Sequence, residues 1–127
     1  AVLLICSLLD EDTIRKYIQI CDILGMSALV EAHDQEEIEK AIKSGSRIIG
    51  VNNRDLKTFT VDIGNSERLR KLVPDDILFV AESGIKSNVE IERLKKANVN
   101  GVLIGETFMK AENKKQMLQQ LKGEDNE

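Results

Sequence analysis

A chain of 127 residues, 42% hydrophobic and 31% charged, suffices for one domain with its own core and is too apolar for a disordered segment. Its net charge of −4 leaves no basic footprint for nucleic acid, and 3% aromatics with no tryptophan leave no base-stacking platform.

The opening AVLLICSLL is a continuous apolar run and predicts a buried strand from Val2. It lacks the basic flank and cleavage pattern of a signal segment and is too short to span a bilayer. Cys6 and, further on, Cys21 sit among apolar neighbours, as buried reduced thiols of a reducing compartment do. Asp10 or Asp12 caps a helix reaching Leu24, with Ile14, Tyr17, Ile18 and Cys21 on one stripe and Gly25 as its stop. A second strand starts near Ala28 and ends ALVEAHD. Asp34 with Glu37 then starts a helix that turns Ile38, Ala41 and Ile42 inward before Gly45. A third strand starts near Arg47 and ends GVNNRD, followed by a shorter helix over 64–72 that Pro74 stops. The fourth runs from near Ile77 to FVAESGI, after which Ser87 and Glu90 make a capping box ahead of Ile91, Leu94 and Ala97. The fifth runs from Gly101 to VLIGET. A helical turn over 106–110 and a helix over 113–122 follow, with an acidic tail at 123–127 expected to be disordered.

These are five βα units in tandem, spaced by about 20–30 residues. Strands that read as unbroken apolar runs belong to a parallel sheet covered by helices. Two architectures fit: a doubly wound open sheet, or part of a (βα)8 barrel. A whole barrel takes about 200–250 residues. The length and the start in mid-pattern therefore favour an α/β fold that is a partial TIM (βα)8 barrel, residues 1–122, with five parallel units.

Parallel α/β folds collect function at the C-terminal ends of their strands. Those ends carry Glu31, then Asn52 and Arg54, then Glu82, Ser83 and Gly84, then Gly105 and Glu106. Partial burial of Glu31 and Glu82 raises a carboxyl toward the range useful for proton transfer, and two nearby carboxylates raise one further. Ion pairs to Arg54, Lys86 or Arg47 are the ordinary alternative. Gly84 and Gly105, each after a strand and before a helical start, let backbone N–H groups approach a phosphate. Asn52 and Arg54, two apart in an extended segment, share a face; Asn53 points the other way and serves structure, and Asp55 belongs to a turn. His33, the single histidine, falls just past a strand end, where a loop or surface role is expected. No residues have metal-ligand spacing, and no catalytic serine triad or Walker-type loop is present.

The stretches ALVEAHDQEEIEKAIKSGSRIIGVNNRDLKTFTVD, FVAESGI and GVLIGETFM together resemble the second half of indole-3-glycerol phosphate synthase, from residue 1 to about residue 121. GVNNRDL-x-TF-x-VD is the most specific part; ESGI and LIGE are shared with other phosphate-binding barrels. The resemblance implies a cytoplasmic lyase of tryptophan biosynthesis, a (βα)8 barrel without cofactor. It would close the ring of 1-(2-carboxyphenylamino)-1-deoxyribulose 5-phosphate with loss of CO₂ and water. It further implies catalytic roles for Glu31, in proton transfer or stabilisation of positive charge, and for Asn52, in holding substrate and its polar neighbours. Arg54 would lie near the anthranilate side, Glu82 and Ser83 against substrate hydroxyls and ring, and backbone N–H groups of Gly84, Gly105 and Glu106 around the phosphate. The family's first three strands bring a lysine general acid, a second lysine and a further glutamate that have no counterpart here. The isolated chain is thus expected to be inactive or nearly so, short of at least the ~10²–10⁴-fold that general acids supply. Five unclosed strands leave an apolar face open, which predicts self-association. The competing readings are a non-catalytic, phosphate-binding half-barrel and another phosphate-handling isomerase or aldolase. Lys57 and Lys86, both in loops, offer the latter no strand-end Schiff-base lysine.

Overall fold

A computed structural model describes residues 1–124. The strands are β1 (Val2–Ile5), β2 (Ala28–Ala32), β3 (Ile48–Asn52), β4 (Leu78–Glu82) and β5 (Gly101–Leu103). The helices are α1 (Glu11–Ile23), α2 (Gln35–Lys43), α3 (Gly64–Arg70), α4 (Asn88–Lys96), α5 (Glu106–Lys110) and α6 (Lys114–Lys122). The five strands form one parallel sheet in the order β1-β2-β3-β4-β5. That sequential order decides between the two architectures: a doubly wound sheet reverses its order at a switch point, whereas a barrel adds each strand beside the last.

Side-chain alternation splits each strand between two environments. Val30, Ala32, Ile49, Val51 and Phe79 face the helices and are fully buried against Ile14, Ile38 and Ala41, with Ile18 and Cys21 alongside. A second cluster joins Ala81 and Ile85 to Leu94 and Leu121. The other face carries Leu3, Leu29, Gly50, Val80 and Leu103, which strand register places on the same side of the sheet, with Leu3 opposite Leu29 and Gly50 opposite Val80. Leu3, Leu78 and Leu103 are 48%, 50% and 52% exposed. The helix-covered face is a core, and the opposite face is apolar and uncovered.

Three helices start as their sequences predict. Asp10 accepts from the Thr13 N–H at 2.7 Å, Asp34 from Glu37 at 2.8 Å and Asn113 from Gln116 at 3.0 Å, each cap worth about 1 kcal/mol. The capping box expected at Ser87 forms differently. The Ser87 hydroxyl donates to the Glu90 carboxylate, so it caps no backbone N–H. Tyr17 departs as well: it is 41% exposed, while Ile14, Ile18 and Cys21 are buried. The buried stripe of α1 is narrow, and Tyr17 stands on its border. At the far end, Gly123 adopts the left-handed conformation, φ 77°, that closes α6. The rest of the acidic tail, from residue 125, lies outside the described residues.

Arg70 is a tie that no local pattern of residues signals. It is 4% exposed, its Nε–H donates to the Asn98 carbonyl at 2.8 Å, and its guanidinium lies 5.5 Å from the Phe79 ring centroid. Nη1 reaches the carbonyls of Val73 and Pro74, both at 3.4 Å. One cation thus pins the loop after α3 against β4. Both cysteines are free and buried, and burial, aided by the Glu37 charge, pushes the Cys6 thiol up to about 11.

Candidate functional site

The C-terminal ends of β2, β3 and β4 bring two carboxyl groups over a glycine. Gly50 in β3 pairs with Glu31 on one side and Val80 on the other. A Cβ on Gly50 would stand 3.2 Å from the Glu82 carboxyl carbon and 3.1 Å from Leu29 Cδ1. Glu82 therefore leans into space that only glycine leaves free. Glu31 and Glu82 are 7% and 3% exposed and stand on the two strands that flank β3. Burial chiefly, and then the Glu31 hydrogen bond and charge, push the Glu82 carboxyl up to about 8. Two carboxylates cannot easily share this site fully ionised, so the Glu31–Glu82 pair resists losing its last proton.

The ion pairs that offered an ordinary explanation go elsewhere. Arg54 Nη2 meets Glu106 Oε2 at 2.6 Å, and Arg47 pairs with Asp22. Glu106 also takes Lys110 Nζ at 2.7 Å, and hydrogen bonds from Lys110 and Arg54 hold its carboxyl down to about 2. This Arg54–Glu106–Lys110 cluster spans from the β3 end to α5. Asn52 spends Oδ1 on the Arg54 N–H at 3.0 Å, a local turn that fixes the direction in which Arg54 leaves the strand.

Asn53 faces the helices and is 3% exposed. Its Nδ2 donates to the Ser83 carbonyl at 3.2 Å, and its Oδ1 accepts from the Ser66 hydroxyl at 2.7 Å and the Ser66 N–H at 3.1 Å. It holds the sharp turn after β4, where Ser83 and Gly84 both have positive φ, 70° and 80°. A side chain at Gly84 would meet Val61 Cγ1 at 2.4 Å. Ser83, a non-glycine in that region, is strained backbone at the edge of the site. Gly105 caps α5 with nothing within 4 Å of where its Cβ would be, so open cavity, not packing, surrounds it. The Thr107 hydroxyl ties α5 to this turn through the Ile85 carbonyl at 2.7 Å.

All eight residues picked from strand ends, namely Glu31, Asn52, Arg54, Glu82, Ser83, Gly84, Gly105 and Glu106, line one cavity of about 800 Å³. Two basic lining residues were not picked. Lys86 had been weighed only as an ion-pair partner or imine-forming lysine, and Lys110 not at all. Lys110 sits four residues beyond Glu106, so helical spacing was the available signal. His33 is less of a surface residue than expected. Its side chain is 18% exposed, Nδ1 lies 3.2 Å from Glu37 Oε1, and Nε2 lies 3.8 Å from Glu31 Oε2. Among the described residues, no group of three or more His, Cys, Asp or Glu could hold a metal ion, and no helix is long and apolar enough to cross a membrane.

Comparison with known proteins bears on this arrangement. The family described as indole-3-glycerol phosphate synthase matches residues 1–121. The enzyme so named from Lachnoclostridium phytofermentans is 59% identical over 121 residues, covering 95% of this chain and 45% of its own length. That from Ruminiclostridium cellulolyticum is 57% identical over 122 residues, covering 96% and 47%. The chain spans about half the length of the curated relatives it matches. Among solved structures, one described as native KDPGal aligns with TM-score 0.65 at 16% identity, over 96% of this chain and 55% of that one. The YdjI aldolase of Escherichia coli K12 aligns with TM-score 0.60 at 16% identity, over 84% and 44%. At such identities the structural likeness concerns the fold alone.

Proposed function

Because the chain belongs to the indole-3-glycerol phosphate synthase family, we propose that its cavity is the second-half share of the site that closes the indole ring of 1-(2-carboxyphenylamino)-1-deoxyribulose 5-phosphate, with loss of CO₂ and water. The observation that carries this reading is the Glu31–Glu82 pair buried over Gly50. Dehydration after ring closure needs a hydroxyl held by a proton-bearing group and a second group to take a proton from the ring. Glu82, its carboxyl pushed up to about 8, suits the first task, with Ser83 beside it. Glu31 suits the second, or steadies the positive charge on the ring before proton loss. Asn52 fixes the Arg54 backbone and holds its Nδ2 toward substrate; Arg54, clamped by Glu106, stands near the anthranilate side. Phosphate falls to the backbone N–H groups of Gly84, Gly105 and Glu106, with Lys86 and Lys110 supplying positive charge in the same cavity. The substrate is a small phosphorylated molecule, no cofactor takes part, and the buried free thiols suit the cytoplasm.

The family's lysine acid belongs to strands outside these 127 residues, so the chain by itself turns over little or nothing. The test is an assay of indole-glycerol phosphate formation with and without a separately supplied first half from a relative. Product is expected only with the supplement, and in the supplemented sample Glu31→Gln is expected to cost about 10²–10⁴-fold. Full activity of Glu31→Gln would end the catalytic reading. No product under any supplement, with phosphate still bound, favours the non-catalytic half-barrel instead.

The exposed inner face supports a further part of this reading, pairing of two copies through the uncovered Leu3, Leu78 and Leu103 side of the sheet. Sedimentation at rising concentration tests it: mass grows toward the dimer, and a concentration-independent monomer refutes pairing.

A further inference from the structure

His33 lies between two carboxyl groups on different elements, Glu31 at the end of β2 and Glu37 in the first turn of α2. Nδ1 is 3.2 Å from Glu37 Oε1, which as a carboxylate accepts and does not donate. That contact places a ring hydrogen on Nδ1, and in the neutral ring Nε2 is then the acceptor. Nε2 is buried, has no hydrogen-bond partner, and stands 3.8 Å from Glu31 Oε2. A buried nitrogen without a partner is uncommon in a folded interior and is held there at some cost. Asn65 Nδ2 fixes the His33 backbone by donating to its carbonyl at 3.2 Å.

The histidine also stands between two cavities. Glu31 lines the cavity that takes substrate in the reading above, whereas His33 and Glu37 line a second one, of about 710 Å³, on the far side of Asn52 and Arg54. Substrate filling the first cavity shuts Glu31 off from water there. A proton taken by Glu31 then needs another place to go.

We propose that His33 is a positioning residue that receives and returns the Glu31 proton, with Glu37 fixing its tautomer. The inference rests on the assignment of Glu31 to proton transfer. In the step, the proton on Glu31 Oε2 passes to Nε2, giving a carboxylate and an imidazolium whose charge Glu37 balances through Nδ1–H; reversal restores the acid. The gap of 3.8 Å must close by about an ångström, as hydrogen bonds in ligand-free sites do when substrate arrives. Contact across it is direct, because a bridging water would hold the two atoms farther apart.

One histidine in the chain makes the first test unambiguous. Ring ¹⁵N NMR of the unmodified chain at neutral pH is expected to show the hydrogen on Nδ1 and a bare Nε2, and that preference is expected to weaken in Glu37→Gln. A hydrogen on Nε2 in the unmodified chain overturns the proposal, since the ring then has nothing to accept with. The second test uses the supplemented enzyme. His33→Ala is expected to lower kcat about 10- to 100-fold with KM little changed, and added imidazole, entering from the second cavity, is expected to restore rate. Loss without rescue, or no loss, overturns the relay while a dead Glu31→Gln leaves the site reading standing. A fully active Glu31→Gln removes that reading itself, whatever the tautomer.

Discussion

The absent side chain of Gly50 governs the chemistry of Glu82. Gly50→Ala would put a methyl group 3.2 Å from Glu82 Cδ and 3.1 Å from Leu29 Cδ1, too close for both to stay where they are. Where Glu82 is the one pushed away from its buried position, its raised pKa is expected to fall. Titration of the Glu82 carboxyl by ¹³C NMR reads this directly; an unmoved titration would show that Leu29 yields instead. The same carboxyl makes stability pH-dependent. Its folded value, about 8, lies above the ordinary 4.5, so between these limits the folded chain binds a proton that the unfolded chain has lost. Stability attributable to Glu82 is therefore fully present below about pH 4.5 and declines until about pH 8. Glu82→Gln, neutral at every pH, is expected to flatten that decline and stabilise the chain at pH 8 by on the order of 2–4 kcal/mol. Urea midpoints measured from pH 5 to 9 check both sign and size.

The elements depend on a few buried polar ties. Arg70→Met removes the guanidinium that satisfies the carbonyls of Asn98, Val73 and Pro74, and is expected to cost about 2–4 kcal/mol. Asn53→Ala leaves Ser66 and the Ser83 carbonyl without their partner and is expected to cost about 1–3 kcal/mol while loosening the turn after β4. Chemical denaturation of both variants against Asp34→Ala, a loss of one helix cap worth about 1 kcal/mol, ranks them. Asp10, Asp34 and Asn113 show why the elements were legible: a cap and the helix it starts are neighbours in the chain. Strand ends were legible for a similar reason, since an apolar run breaking into polar residues is local. Arg70, His33 and Gly50 were not. Arg70 and Gly50 matter because of residues about 9–32 positions away, which only strand register and helix packing reveal. The partners of His33, Glu31 and Glu37, are near in the chain, and it is the turn from β2 into α2 that brings them to its ring. The Ser87 departure is subtler, since the spacing was right and the hydroxyl chose the carboxylate over the backbone.

At the scale of the molecule, the sheet has one finished face and one bare one. The finished face holds the core, while the bare face carries Leu3, Leu78 and Leu103 about half exposed beneath a rim of site residues. Chemistry at the rim is thus supported from the helix side only, through Asn53, Ser66 and the α5 contact of Thr107. The sequential strand order has a kinetic meaning as well. Each strand pairs only with the one before and the one after it, so every pairing joins segments close together in the chain, which favours fast folding for a parallel sheet. A strand leaving the ribosome finds its template already made, and growth from one edge matches the direction of synthesis. β3 has neighbours on both sides while β1 and β5 each have one, so amide exchange should be slowest in β3 and quicken toward both edges. Such a sheet unravels from its ends inward, and because the two carboxyls flank β3, proton chemistry is housed in the part of the molecule that opens last.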